Sequence, residues 1–294
     1  MINKQTFRRI LPLRQRQLVA STLQNVLGPR WKPIAFRHID QTSMSALSRR
    51  RVFEPELKLV PFFISKPGAV FDIGANLGEY TYVLEKTVGP RRTYSIEPVP
   101  QLSAKLTRLF PEVKVLNLAL SDTTGTQSLK IPIIDGNPVW SRSTLEQFSE
   151  AGETGSIFEQ VRLQTLDSLC EEINVRDVAF IKIDVEGHEQ KVLNGATKVM
   201  ARCHPVLLVE IEQRHHTEPI ACIFSWIQKQ GYSGLFYDLR RMSLRPIAEF
   251  SIDSGRVETL GTADFVNNFF FVKHEAAHHI MEAVLSATRH GAIH

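Results

Sequence analysis

The sequence predicts an α/β protein: a mostly parallel sheet with helices on both faces, preceded by a basic, mainly helical extension. Three observations point there. From Ala69 onward, short continuously apolar segments alternate with helical ones, as in parallel sheets covered on both sides. The first apolar segment runs into a turn almost bare of side chains, within AVFDIGANLGEYT at 69–81. Polar residues stand where successive strands end: Asp72, Glu97, Asp122, Asp184, and Glu210 with Glu212.

The elements follow in order. Residues 1–66 read as helical pieces interrupted by Pro29, Pro33, Pro55 and Pro61. AVFDI is the first strand and 78–88 the first helix of the domain. TYSIE (93–97) is the second strand, stopped by Pro98, and 99–110 the second helix. VKVLNLAL (113–120) is the third strand. Residues 121–160, rich in Ser, Thr, Gly and Pro, predict hairpins and an exposed loop. A helix over 167–175, a strand VAFIKID (178–184) and a helix over 187–202 come next. Then follow PVLLVEIE (205–212), a helix over 219–230, GLFYDL (234–239) and ADFVNNFFFV (263–272). The tail, 274–294, predicts one short helix, and its histidines form no metal constellation in sequence. The expected units are therefore a basic extension (1–66), one domain (67–273) and this tail.

Composition narrows the function classes. With 294 residues, 43% hydrophobic and 22% charged, the chain is long enough for one large α/β domain. No run of 18 apolar residues exists, so no transmembrane segment is expected. The basic start has no continuous apolar core, so no secretory signal is expected. Cys170, Cys203 and Cys222 lie far apart without metal or redox spacing; reduced thiols and a cytoplasmic location are the expectation. The net charge of +4 is uneven: residues 1–66 hold 13 Lys/Arg against 3 Asp/Glu, which leaves the rest net acidic. Such an extension suits weak peripheral contact with anionic lipid, nucleic acid or an acidic partner, or a solvated arm over the domain.

In open α/β sheets ligands bind outside the carboxyl ends of the strands. There, Gly74 and Gly78 allow a tight turn with backbone close to a ligand, and the turn opens a helix. The G-x-x-x-G spacing differs from the dinucleotide pattern, and Asp72 before it would repel a pyrophosphate and attract a cation. A ligand with a sulfonium, an ammonium and a carboxylate fits, and S-adenosyl-L-methionine is such a ligand. Glu97, at the next strand end, suits both ribose hydroxyls. A second cluster, IKIDVEGHEQKVLNGA (181–196), gathers Lys182, Asp184, Glu186, His188 and Glu189. Lys182 and Asp184 point to one side of their strand. Glu186 and Glu189 also suit a helix N-terminus.

These stretches, with YSIEPVP, NLALSDTTG, LQTLDSL, PVLLVEIE and NNFFFV in this order, resemble the FkbM-type S-adenosylmethionine-dependent methyltransferases over about residues 66–272. The resemblance implies a class I methyltransferase (Rossmann-like) fold, a seven-stranded sheet with a reversed last strand, ADFVNNFFFV, beside GLFYDL. It implies that Asp72, Gly74, Asn76 and Gly78 line the methionine end of the cofactor, that Glu97 holds the ribose and that Ser121 and Asp122 contact adenine. It places Asp184 near the transferable methyl. It implies O-methylation of a small-molecule or glycan acceptor, on sugars or polyketide-like natural products.

An alcohol acceptor must be aligned and must lose its proton. Candidate bases are Asp184, Glu186, His188, Glu210 and His215, with Asp184, Glu210 and His188 leading. Asp184 and Glu210 sharing a divalent cation is the less favoured alternative. The segment 132–160, with Trp140, Ser141, Arg142 and Ser143, is the expected acceptor-recognition element. Rival readings are a nucleic-acid methyltransferase using the basic arm, a non-catalytic binding module and a nicotinamide oxidoreductase. The acidic core, DVEG in place of a base-methylating tetrad, the intact strand-end acids and the missing G-x-G-x-x-G weigh against them.

Overall fold

The computed structural model describes residues 28–42, 54–251, 262 and 264–289. Most of the basic charge assigned to the N-terminal extension lies outside these residues. Two short helices, α1 (Lys32–Ala35) and α2 (Arg37–Gln41), open the described chain, and α3 (Glu56–Phe63) follows. The central sheet then begins with β1 (Ala69–Ile73), α4 (Glu79–Val88), β2 (Thr93–Ile96), α5 (Pro100–Leu109) and β3 (Lys114–Leu116).

The expected third strand, 113–120, is two strands in two sheets. β3 stays in the central sheet, and β4 (Ala119–Leu120) leaves it for a second one. Between them Asn117 donates through Nδ2 to the carbonyls of Glu97 and Pro98, both at 2.9 Å, which ties the crossing point to the end of β2. The second sheet contains a long antiparallel pair, β5 (Gly125–Ile134) and β7 (Glu153–Gln164), with the two-residue β6 (Asn137–Pro138) on its edge. More of the expected loop is therefore regular strand than the turn residues indicated.

The chain returns through α6 (Leu166–Glu172), β8 (Val178–Ile183), α7 (Glu189–Asn194), α8 (Thr197–Cys203), β9 (Val206–Glu210) and α9 (Ala221–Lys229). The expected single helix over 187–202 is two helices parted at Gly195 and Ala196, and Gly195 packs so closely that a Cβ there would stand 2.0 Å from the Ser121 carbonyl. Asp167 caps the restarted helix, accepting from the backbone N–H of Lys198 at 3.0 Å and of Val199 at 2.8 Å. The sheet closes with β10 (Tyr232–Asp238), β11 (Ser243–Pro246) and β12 (Asn268–Lys273), and α10 (His274–Arg289) covers it.

The strand order is β11-β10-β12-β9-β8-β1-β2-β3. β12 runs antiparallel to both β9 and β10, as expected of a reversed last strand. Among the described residues the sheet has eight strands rather than seven, because β11 adds an antiparallel edge that the short SLRP segment did not reveal. Alternate residues of the strands feed two cores. Val70, Phe180, Leu208 and Phe270 face α3, α4 and α10; Phe71, Ile181, Leu207 and Phe271 face α6 to α9. Phe63 of α3 stacks on Phe270 with centroids 3.8 Å apart, and Val284 of α10 is fully buried in the same core. Phe36 stacks on Tyr82 of α4 at 4.8 Å, and Lys32 pairs with Glu85 at 2.7 Å, so residues 28–42 lie against the sheet's helical cover. Among the described residues no helix is long and apolar enough to cross a membrane.

Candidate active site

The carboxyl ends of β1, β2 and β8 open into a cleft, closed on the far side by the second sheet. Gly74, Asn76, Glu97, Asp184, Glu186 and His188 line it. Trp140, Ser141 and Ser143 face them from the segment between β6 and β7.

The bare turn has a structural cause. Gly74 adopts φ 81°, and a Cβ there would lie 1.7 Å from the Asp184 carbonyl oxygen. Gly78 adopts φ 86°, and a Cβ there would lie 2.7 Å from Leu106 and Phe110. Protein atoms fill the space that a side chain would take, so both glycines serve packing of the turn against β8 and α5. The turn then presents the Asn76 N–H to Glu97 Oε2 at 2.8 Å, while the Val99 N–H meets Oε1 at 2.8 Å. Two backbone donors thus fix the Glu97 carboxylate at the cleft wall. Burial pushes its pKa up to about 7 against these donors.

Asp72 does not line the cleft. Its carboxylate is buried and accepts from Thr81 Oγ1 at 2.6 Å, and burial lifts it to about 6. Asp122 is exposed outside the cleft lining, and Ser121 is buried behind it. Ser121 Oγ lies 2.9 Å from His188 Nε2, and His188 Nδ1 lies 2.6 Å from Glu146 Oε1. His188 is only 2% exposed. Its hydrogen bond, with that of Lys191, holds Glu146 down to about 2.

Lys182 is fully buried, and its Nζ donates to Asn268 Oδ1 at 2.9 Å. It lies 3.8 Å from Asp184 Oδ2, 3.6 Å from Glu210 Oε2 and 4.9 Å above the Tyr80 ring. Burial alone would lower its pKa; the carboxylates of Asp184, Glu210, Glu54 and Asp72 outweigh burial and hold it above its ordinary value. Asp184 and Glu210 thus flank the same ammonium, and the charge of each acts on the other. Burial lifts Asp184 to about 6 and, with the Asp184 charge, Glu210 well above the usual carboxylate range. Asn267 Nδ2 donates to Glu210 at 2.6 Å, and Tyr80 donates to Glu54 at 2.5 Å. Glu210 stands behind Asp184 and outside the cleft lining.

Sequence reasoning missed Glu54, Glu146, Glu150, Tyr80 and the amide roles of Asn267 and Asn268. Glu54 meets Asn268 across 214 residues, a pairing with no local signal. The adjacent asparagines inside NNFFFV were such a signal: two amides opening an apolar strand need buried partners.

A family model described as the methyltransferase FkbM domain matches residues 72–233, more than half of the chain. No curated protein matches the chain in sequence. Among solved structures, methyltransferase FkbM from Methylobacillus flagellatus KT is similar at 17% identity and TM-score 0.41, over 70% of this chain and 43% of that one. The chain thus spans less than half the length of that protein. An O-methyltransferase from Bacillus cereus, in complex with SAH, aligns at 15% identity and TM-score 0.41, over 87% of this chain and 97% of that one. A SAM-dependent methyltransferase from Aquifex aeolicus aligns at 15% identity and TM-score 0.35, over 82% of this chain and 96% of that one.

Proposed function

This chain belongs to the methyltransferase FkbM family, and on that premise we propose that it transfers a methyl group from S-adenosylmethionine to a hydroxyl of a sugar, glycan or polyketide-like natural product. The observation that carries the cofactor assignment is Glu97. Two backbone N–H groups orient its carboxylate at the wall of the cleft, leaving lone pairs for both ribose hydroxyls. Leu118, Leu129 and Leu145 supply an apolar wall for an adenine ring. Gly74 and Asn76 offer backbone to the amino-acid end, and the acids around Lys182 give that end a negative field. The cofactor, when bound, supplies an electrophilic methyl on a sulfonium.

Trp140 offers an aromatic face for a sugar ring, with Ser141 and Ser143 beside it for hydroxyls. Asp184 is the better placed base. Both nitrogens of His188 are already engaged by Glu146 and Ser121, whereas the Asp184 side chain keeps 29% of its surface exposed. Asp184 would take the acceptor hydroxyl's proton at a carboxylate oxygen, while the bound cofactor would supply the methyl and accept the C–S electron pair on its sulfur. Glu210 passes charge compensation from Lys182 and positions Asp184. His188 orders the turn at Ser121 and remains the second candidate base.

Calorimetric titration with S-adenosylmethionine, and separately NADH, tests the cofactor. Saturable binding of the former only, lost in Glu97→Ala, is expected; tight NADH binding overturns the assignment. A glycan-first acceptor screen follows. Asp184→Asn is expected to retain cofactor binding and lose roughly 10²–10⁴-fold in turnover, the range of general-base catalysis. Wild-type turnover in both Asp184→Asn and Glu210→Gln would remove them from the mechanism.

A further inference from the structure

Beside the cleft lies a second polar centre that the proposed methyl transfer does not use. Glu150 comes from the segment leading into β7, Glu186 from the turn after β8 and His215 from the helical turn after β9. His215 Nε2 lies 3.3 Å from Glu150 Oε1 and 3.2 Å from Glu186 Oε2, and all three donor atoms lie within 4.8 Å of one another. The side chains of Glu150 and His215 are each only 4% exposed. Yet neither Glu150 Oε1 nor His215 Nε2 completes a hydrogen bond among the described residues, although they stand at ion-pair distance. Leaving two such buried atoms unmatched is costly.

The surroundings aim these atoms inward. Arg214 and Arg142 take the other oxygen of Glu150, Oε2, at 2.9 and 3.3 Å, which leaves Oε1 facing the imidazole. Arg214 is itself matched by Glu212 at 2.5 Å. Phe148 stacks on the His215 ring with centroids 4.9 Å apart and fixes its plane. Gly187 makes the approach possible, since a Cβ there would stand 3.1 Å from that of His215.

We propose that Glu150, Glu186 and His215 form a binding site for one first-row divalent cation, of the Mn²⁺ or Zn²⁺ type. Ligands held about 2.0–2.2 Å from such an ion, at right or tetrahedral angles, stand roughly 3.0–3.5 Å from one another. The two N···O separations here match that edge length. One imidazole with two carboxylates suits these ions better than Mg²⁺ or Ca²⁺, which prefer all-oxygen sets. Glu186 also lines the cleft, so the ion would clamp the segment bearing Trp140 and Glu150 onto the strand ends at the acceptor side. The site differs from an Asp184–Glu210 cation site, where Lys182 stands between the two carboxylates; here Arg214 takes the outer oxygen of Glu150 and lies 3.9 Å from Glu186 Oε2. It stands whether or not the methyl-transfer reading holds, because its readout is binding.

The test is titration of the metal-depleted full chain with MnCl₂, with free Mn²⁺ read from its six-line electron paramagnetic resonance signal. One ion per chain is expected, weakened at least tenfold in His215→Ala and in Glu150→Gln and unchanged in His216→Ala. Echo-modulation spectra of the wild-type complex are expected to show one directly bound ¹⁴N, a readout that needs no variant to fold. No saturable binding, binding indifferent to both ligand substitutions, or a complex without nitrogen overturns the site and leaves a buried His–Glu ion pair.

Discussion

Gly74 shows how one hydrogen atom decides a site. Its φ of 81° and the 1.7 Å approach of the Asp184 carbonyl to a would-be Cβ exclude any side chain. Gly74→Ala is expected to cost more than about 3 kcal/mol, combining backbone strain with displacement of β8, measured by denaturant unfolding. Glu97 decides ligand affinity in another way. With a pKa near 7 it accepts fully only when ionised, so S-adenosylmethionine is expected to bind more tightly at pH 8 than at pH 6. Calorimetry at the two pH values checks this, and Glu97→Gln should weaken binding and flatten the profile. The sequence showed both residues as important, but its reason for the glycine was ligand approach, whereas the structure adds a neighbouring strand's carbonyl. Spacing along a chain does not reveal which strand will lie beside it.

At the scale of elements, the ends of β8, β9 and β12 are bound together through Lys182, whose ammonium sits among Asp184, Glu210 and Asn268. Lys182→Met leaves Asp184 and Glu210 without their cation, and a loss of about 3–5 kcal/mol is expected in chemical denaturation. Helix α10 is a comparable tie on the other face. Val284 is fully buried against α3 and the sheet, so Val284→Asp is expected to lower stability by about 3 kcal/mol or more, visible as a lowered melting temperature. Strands and helices of this kind were legible because their apolar periodicity is local. β11 and the splitting of 113–120 were not, since a four-residue edge strand and a change of sheet carry almost no periodic signal.

Across the whole molecule, buried acids set the pH response. The folded protein keeps protons on Asp72 up to about pH 6 and on Glu97 up to about pH 7, whereas the unfolded chain releases them near pH 4. In that interval the folded state binds more protons, so their contribution to stability falls as pH rises. Glu146, held down to about 2, acts with the opposite sign: its contribution is present above about pH 4.5 and is lost as pH falls toward 2. The melting temperature is therefore expected to peak near pH 4 to 4.5, and to be lower at pH 8 and at pH 3. Thermal melts across this range measure it, and a maximum at pH 8 would contradict the assignment of these buried acids.

The sequence by itself determined the α/β alternation, the position of the cleft at the strand ends, and the family, through motifs whose order along the chain is local information. Glu97, Asp184 and His188 were singled out that way as candidates, and all three line the cleft. Only the tertiary structure decided what those residues touch. It turned Asp72 away from the cleft, buried His188 between Glu146 and Ser121, and brought Glu54 to Asn268 and Glu150 to His215. The physical reason is that periodicity reports which face of an element is apolar. The partner of a buried polar group is fixed by which elements the sheet order places side by side, often more than a hundred residues away in the chain.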